Sequence, residues 1–314
     1  CRMYFIGLDI GTTGCKSVVF DETGASFGKC YEEFDIICRR PGWAEQSPAI
    51  VLDAVKRVVK ESIRQTKEKG ALAEEFSALS ISVLGEEIMP VDKEMRPLRD
   101  AILGMDYRAS EQTQRLIGKV SAPEAYDITG FVPHPMASLP TIMWMRDHEP
   151  ELITKTNKYV TFSEYIMKCL AAEAGYIDYP QAGRTMAFDI EKKCWSEKML
   201  RGAGIDKSMF CYLAQTGSIV GHMSKEMAAE LGVTDRVALV AGGQDQTCAA
   251  LGAGLTQEGI GMDSHGTIEG IGLLSHRKVT DETALNGGVS CYAYTIPDQY
   301  FLMSSCQVGG LLLK

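Results

Sequence analysis

Residues 4–20 set a strict condition on the fold. Two strand-forming runs, Tyr4 to Asp9 and Lys16 to Phe20, flank Gly11-Thr12-Thr13-Gly14, and a second turn follows at Asp21-Glu22-Thr23-Gly24. Glycine at both ends of a four-residue turn, between apolar runs of strand length, marks a β-hairpin. A third strand is expected from Ala25 to Ile37. After the loop Arg40-Pro41-Gly42-Trp43, Ser47 stands as helix N-cap and Pro48 at the first helical position, opening a helix that reaches Lys67. Apolar runs Phe76 to Val83 and Glu87 to Val91 come next. Hairpin-linked strands followed by alternating helix and strand give a mixed α/β sheet flanked by helices, not a purely parallel one.

Further along, Ala122 to Ala174 reads as largely helical, Val237 to Ala241 as a short strand, and Thr247 to Leu251 as the start of a helix. Glycines and strand-like runs then dominate, which places a domain boundary near Leu255 and divides the chain into residues 1–255 and 256–314. Ile6-Gly7-Leu8-Asp9-Ile10-Gly11-Thr12 is echoed by Ile260 to Thr267 with one extra residue, so each unit is expected to carry a strand, a glycine turn and a returning strand. A chance match of a short glycine-rich string is the alternative. The last residues, Gly309-Gly310-Leu311-Leu312-Leu313-Lys314, resemble the opening of a helix, so the sequence is expected to be a fragment with a truncated second domain.

Composition narrows the function. The formal net charge of -9 disfavours phosphate backbones and anionic lipid as partners, so neither nucleic acid nor membrane is expected. A nucleotide site relies on local backbone dipoles and Mg²⁺, so this charge does not oppose one. The ten cysteines show no CxxC pair and no metal-ligand spacing, and no secretory signal is evident, which fits a reduced cytoplasmic protein.

Two segments carry chemistry. In Asp9-Ile10-Gly11-Thr12-Thr13-Gly14-Cys15-Lys16, a carboxylate at a strand end can hold Mg²⁺. The turn after it offers backbone N–H groups, two hydroxyls and the charge of Lys16 to phosphate oxygens. The pattern is not a P-loop, since GxxxxGK[ST] is absent and the turn feeds a strand; a hairpin whose Gly and Thr only satisfy turn geometry is the plain alternative. In Ala241-Gly242-Gly243-Gln244-Asp245-Gln246-Thr247, a strand ends in two glycines and an acid stands at a helix start. Asp245 reads either as an N-cap or as a general base for phosphoryl transfer, which asks mainly for positioning and charge neutralisation. The paired glycines favour the second reading, because an N-cap needs no close backbone approach.

Together these segments resemble the FGGY family of carbohydrate kinases, which includes xylulose, glycerol, gluconate and ribulose kinases. The resemblance runs along essentially the whole chain. It rests on Asp9 to Asp21, on Pro41-Gly42-Trp43-Ala44-Glu45-Gln46, on Ala241 to Gly254, and on Ser264-His265-Gly266-Thr267. It implies the actin-like, ribonuclease-H-like pair of α/β domains closing over ATP and a sugar. By position it implies Asp245 as base, Asp9 as the Mg²⁺-associated carboxylate, Gly11, Thr12, Thr13 and Lys16 at phosphate, and Gly266 and Thr267 gripping phosphate from the second domain. Full-length members are longer, and most of the adenine site would lie beyond Lys314.

On the sugar side, Gly85 and Glu86 occupy the place where family members put substrate contacts after a strand. Glu86 would accept from sugar hydroxyls, and Gly85 leaves room that a larger side chain would fill. Asp106 and Arg108 match a D-x-R element, in which the carboxylate either binds two adjacent hydroxyls or pairs with Arg108. Gly104 stands where tryptophan is common, and Ser138-Leu139 where Lys-Leu is usual. Trp43 either lines the cleft or packs the loop, while Trp144 and Trp195 read as core. The expected activity is ATP-dependent phosphorylation of a sugar, ketose or polyol, with xylulokinase as one model. The alternatives are an actin- or chaperone-type ATPase and a non-catalytic sugar-binding relative. The sugar and the oligomeric state stay open, a homodimer included.

Overall fold

A computed structural model describes residues 2–171, 175–265 and 269–306. The alternation of apolar and polar residues sets the first strands: β1 (Tyr4–Ile10) buries Tyr4, Ile6, Leu8 and Ile10 on one face and leaves Phe5 and Asp9 exposed on the other. It pairs antiparallel with β2 (Gly14–Asp21), which in turn pairs antiparallel with β3 (Ser26–Glu33). β4 (Phe76–Val83) then pairs parallel to β1. β5 (Ile219–His222) and β6 (Ala238–Gln244) complete a mixed six-stranded sheet in the order β5-β6-β4-β1-β2-β3, with β6 parallel to β4. This is the mixed sheet expected from the sequence.

Helix α1 (Pro48–Glu68) lies on this sheet because its apolar residues repeat at helical spacing. Val51, Ala54, Val55, Val58, Val59 and Ile63 are all buried. Contact with the hairpin is close enough for the Ser17 and Ser62 hydroxyls to hydrogen-bond at 2.7 Å. A Cβ at Gly28 would stand 1.9 Å from the Ser62 carbonyl oxygen, so glycine is what lets β3 approach the helix. Ser47 takes the N-cap position but its side chain makes no capping bond.

Several boundaries differ from expectation: the strand expected over Val237 to Ala241 runs Ala238–Gln244, the helix expected from Thr247 starts at Asp245, and two further differences have a clear cause. β3 stops at Glu33, not Ile37, because the chain leaves the sheet to exchange hydrogen bonds between Ile37 and Glu45. The strand expected over Glu87 to Val91 covers only Met89–Val91. Glu86 has a left-handed φ of 70°, and the buried Glu87 carboxylate accepts the Phe162 N–H at 2.9 Å, which draws it out of any strand.

The region between Ser110 and Leu170 holds five helices joined by loops, with the short strand Lys158–Val160 before the last, and its core includes Phe131, Leu139, Ile142 and Trp144. A second, antiparallel sheet in the order β7 (Gly261–His265), β8 (Glu269–Ser275), β10 (Tyr300–Cys306), β9 (Ser290–Ala293) packs against it through Tyr292 and Phe301. Here too one glycine governs the approach: Gly130 has φ 65°, a Cβ there would stand 1.7 Å from the Cys291 carbonyl oxygen, and its own carbonyl accepts the Cys291 N–H at 2.7 Å. Among the described residues no helix is long and apolar enough to cross a membrane.

Gly28→Ala should test the helix–sheet contact, since the neighbour that must move is backbone. The expected cost is about 1–3 kcal/mol, read as a lower urea midpoint with an unchanged slope.

Candidate active site

Three parallel strands end at one level. Ile10 of β1 is opposite Val83 of β4, and Val83 is opposite Gln244 of β6. Asp9, Gly85–Glu86 and Asp245, remote in sequence, therefore meet at a common sheet edge, where open α/β sheets place their ligands.

At β1 the turn Gly11-Thr12-Thr13-Gly14 is closed by the Gly11 N–H donating to the Gly14 carbonyl at 2.9 Å. The Thr13 carbonyl accepts the Phe34 N–H at 3.1 Å, and the Thr12 carbonyl accepts from the Gln46 amide. With these carbonyls held by the protein, the exposed side chains of Thr13 and Lys16 face outward. A Cβ at Gly14 would lie 2.6 Å from the Glu32 carbonyl oxygen, so this glycine serves the packing of β2 on β3. Asp9 is exposed, lies opposite Lys16 in the hairpin, and accepts the Ser82 hydroxyl at 2.7 Å. Among the described residues no three His, Cys, Asp or Glu cluster as a metal cage. Mg²⁺ on nucleotide phosphates requires only one or two carboxylates, which Asp9 satisfies. The repeat near residue 260 forms an antiparallel hairpin, with His265 opposite Glu269, as the sequence suggested. Gly266 and Thr267 lie outside the described residues.

At β6 the strand carries a bulge between Val240 and Gly243. A Cβ at Gly242 would stand 1.9 Å from the Ile81 carbonyl oxygen. The close backbone approach inferred from the paired glycines is thus an approach to the neighbouring strand; the bulge it permits re-aims the strand end. Gln244, not Asp245, is the N-cap, its side chain accepting the Gln246 N–H at 3.1 Å. Asp245 is the first residue of α2 (Asp245–Gly252) and is half-buried. One of its oxygens accepts the Gln246 N–H at 2.7 Å and also the Gln244 side-chain amide. Burial, then the negative charge of Glu86, raises its pKa to about 6, against the opposing pull of Arg184.

After β4, Glu86 is buried and ion-paired with Arg184, which directly follows the short helix Tyr179–Gly183. Burial raises the Glu86 pKa, with Arg184 acting against it. The room expected at Gly85 is taken by that guanidinium: a Cβ at Gly85 would stand 3.1 Å from Arg184 Nε and 3.3 Å from Gln244 Cγ. Gly104 has its own reason, since a Cβ there would meet Glu86 Oε2 at 2.8 Å, so no tryptophan fits beside this glutamate. Arg184 was not singled out from the sequence. Its one signal there is a lone charge in the run Gln181-Ala182-Gly183-Arg184-Thr185.

Asp106 and Arg108 sit apart from this group, with side chains 0% and 2% exposed. The Asp106 carboxylate accepts Arg108 Nε at 2.9 Å, Arg108 Nη2 at 2.7 Å, the Arg108 N–H at 2.9 Å and the Ala44 N–H at 2.7 Å. Of the two roles open to it in the sequence, the structure has the pairing with Arg108. The same guanidinium donates to Glu45 at 2.9 Å and lies 3.6 Å from the Trp43 ring centroid, so Trp43 packs the loop. Arg39 and Arg99 converge on the same Glu45 carboxylate.

Comparison with known proteins agrees with this architecture. The model of the FGGY family of carbohydrate kinases, N-terminal domain, matches residues 4–252. A gluconokinase of Bacillus subtilis is 30% identical over 312 residues, covering 99% of this chain and 59% of that protein. A xylulose kinase of Lactococcus lactis is 27% identical, covering 98% and 60%. The solved gluconate kinase of Lactobacillus acidophilus superposes with a TM-score of 0.90 at 22% identity, over 99% of this chain and 61% of that one. The chain therefore spans about three-fifths of the length of these relatives. Because the family model runs unbroken through both the glycine turn and the Asp245 segment, and the fold is shared, the chain belongs to the FGGY family of carbohydrate kinases.

Proposed function

We propose that the protein phosphorylates a hydroxyl of a sugar, ketose or polyol at the expense of ATP. The observation that carries this reading is Asp245, a half-buried carboxylate just past the end of β6, in the same parallel set whose β1 carries Asp9 one residue before its end, with its pKa raised to about 6. Mg·ATP, when bound, supplies the phosphoryl group and offsets the charge on its oxygens. Asp245 takes the proton of the acceptor hydroxyl, for which a pKa near the working pH suits a general base. Glu86 orients the acceptor chain; Asp9 would hold Mg²⁺, directly or through water; Thr12, Thr13 and Lys16 would meet phosphate, with Gly266 and Thr267 as further phosphate contacts. An ATPase without an acceptor would leave the Asp245–Glu86–Arg184 group without a use. Residues 1–255 and 256–314 form the two sides of the cleft in this reading. The free thiols of cysteines such as Cys15, Cys211 and Cys291 go with a cytoplasmic location.

In a coupled ADP-release assay on the full-length protein, Asp245→Asn should lower kcat by about 10²–10⁴-fold with acceptor binding retained; undiminished turnover would sink the proposed base. In the native protein kcat/KM should rise as pH passes upward through about 6, because only the ionised carboxylate accepts a proton, and the Asn variant should lose that limb. Asp9→Asn should raise the Mg²⁺ concentration for half-maximal rate by roughly 10–100-fold. For Asp106→Ala, which takes from a buried arginine one of its two acidic partners and leaves the Ala44 N–H without its acceptor, urea titration should show a loss of about 3 kcal/mol. Its KM for acceptor should not change, since this carboxylate is closed off from any ligand.

A further inference from the structure

Gln244 ends β6 and caps α2, and only 3% of its surface is exposed. Its side chain serves two directions at once. Oε1 accepts the Gln246 N–H at 3.1 Å, and the amide nitrogen donates to Asp245 Oδ1. The orientation of the amide follows from these neighbours. A backbone N–H can only donate and an ionised carboxylate can only accept, so oxygen faces the one and nitrogen the other.

Capping alone does not account for a glutamine here. Asn, Asp and Ser are the favoured caps, and a longer side chain costs more entropy to fix at a helix end. The added length carries the amide across to the carboxylate of the next residue. Gly85 leaves it that place, because a Cβ there would stand 3.3 Å from Gln244 Cγ and 3.4 Å from its Nε2.

The Gln244 amide and the Gln246 N–H both bond to Oδ1 of Asp245, and among the described residues no donor bonds to Oδ2. The charged groups near this carboxylate are Glu86 after β4, Arg184 after the helix Tyr179–Gly183 and Asp9 on β1, and the Cys248 thiol lies one turn along α2. They act on it through charge, whereas Gln244 and Gln246 set its orientation. Two donors on one oxygen fix the group and leave the other oxygen to meet a ligand.

Resting on the kinase reading above, we propose that Gln244 is a positioning residue for the base: it holds Oδ1 of Asp245 so that Oδ2 faces the acceptor hydroxyl. The hydroxyl gives its proton to Oδ2 as its oxygen bonds to the γ-phosphorus of ATP and ADP leaves. Because the Gln244 amide donates to the ionised carboxylate, it also works against the burial that raises the Asp245 pKa.

The test uses Gln244→Asn and Gln244→Glu in the full-length protein. Both keep an oxygen for the cap, and neither brings an N–H to Asp245: the first is too short and the second, ionised, has none. A residue that only capped α2 would leave both variants fully active. Instead kcat and kcat/KM for the acceptor should fall together by about ten- to a hundredfold, with the urea midpoint retained. Asp245 should titrate about one pH unit higher in Gln244→Asn, and higher still in Gln244→Glu, where a second carboxylate stands beside it. That titration is read without turnover, from the ¹³C shift of carboxyl-labelled aspartate, with the Asp245 signal assigned by its absence in Asp245→Asn. Native kcat with an unmoved Asp245 titration in both variants would overturn the proposal. ADP release by the native protein separates the two readings. Turnover, with a titration that neither variant moves, defeats the positioning role and leaves the kinase reading intact. A titration that moves in a protein phosphorylating no acceptor defeats the kinase reading and retains the hold of Gln244 on Asp245.

Discussion

Parallel pairing of β1, β4 and β6 is the constraint on which the site depends. The three strands run out in register, and each delivers its functional residue within two or three positions of its end. The alignment is bought by small residues: β6 reaches β4 only because Gly242 has no side chain to meet the Ile81 carbonyl, and the resulting bulge turns the strand end towards the cleft.

Acidic groups near this edge are sorted by how they are satisfied. Behind it, Glu87, Glu164 and Asp178 are buried and each accepts a backbone N–H at or near a helix start: Phe162, Thr161 and Gln181 respectively. Burial raises all three, Glu164 to about 8 and Asp178 to about 6. They serve as hydrogen-bonding caps more than as charges. At the edge itself, Glu86 has a guanidinium beside it, and Asp245 remains half-buried where a ligand can reach it. The contrast between capping acids and accessible acid is set by depth within the fold, not by residue type.

Much of the first sheet was legible in the sequence, because period-two alternation in β1 and the glycine turn are local signals. The hairpin near residue 260 was legible for the same reason, through its likeness to the first. Boundaries set by distant partners were not: β3 ends where Ile37 turns to Glu45, and the strand after Glu86 shortens because Glu87 caps a helix far along the chain. The site divides along the same line. Asp9 and Asp245 announce themselves by position at strand ends. Arg184 does not, because its meaning comes from the space above Gly85, which only the folded chain brings next to it. Asp106 was ambiguous for a related reason: a D-x-R pair looks the same in sequence whether it faces a ligand or the Ala44 amide.

Glu45 joins surface to site. Three arginines converge on its buried carboxylate, and the residue after it, Gln46, holds the Thr12 carbonyl of the glycine turn. These side chains constitute a unit of inheritance. Loss of the acid leaves each cation with one remaining carboxylate, Asp100 for Arg39, Glu149 for Arg99 and Asp106 for Arg108, so the three arginines are tied to one another through Glu45. Arg39 is half exposed, the kind of position at which sequences ordinarily drift. Its tie to Glu45 withdraws it from that freedom, and lineages that do change here are expected to change the acid and its arginines together.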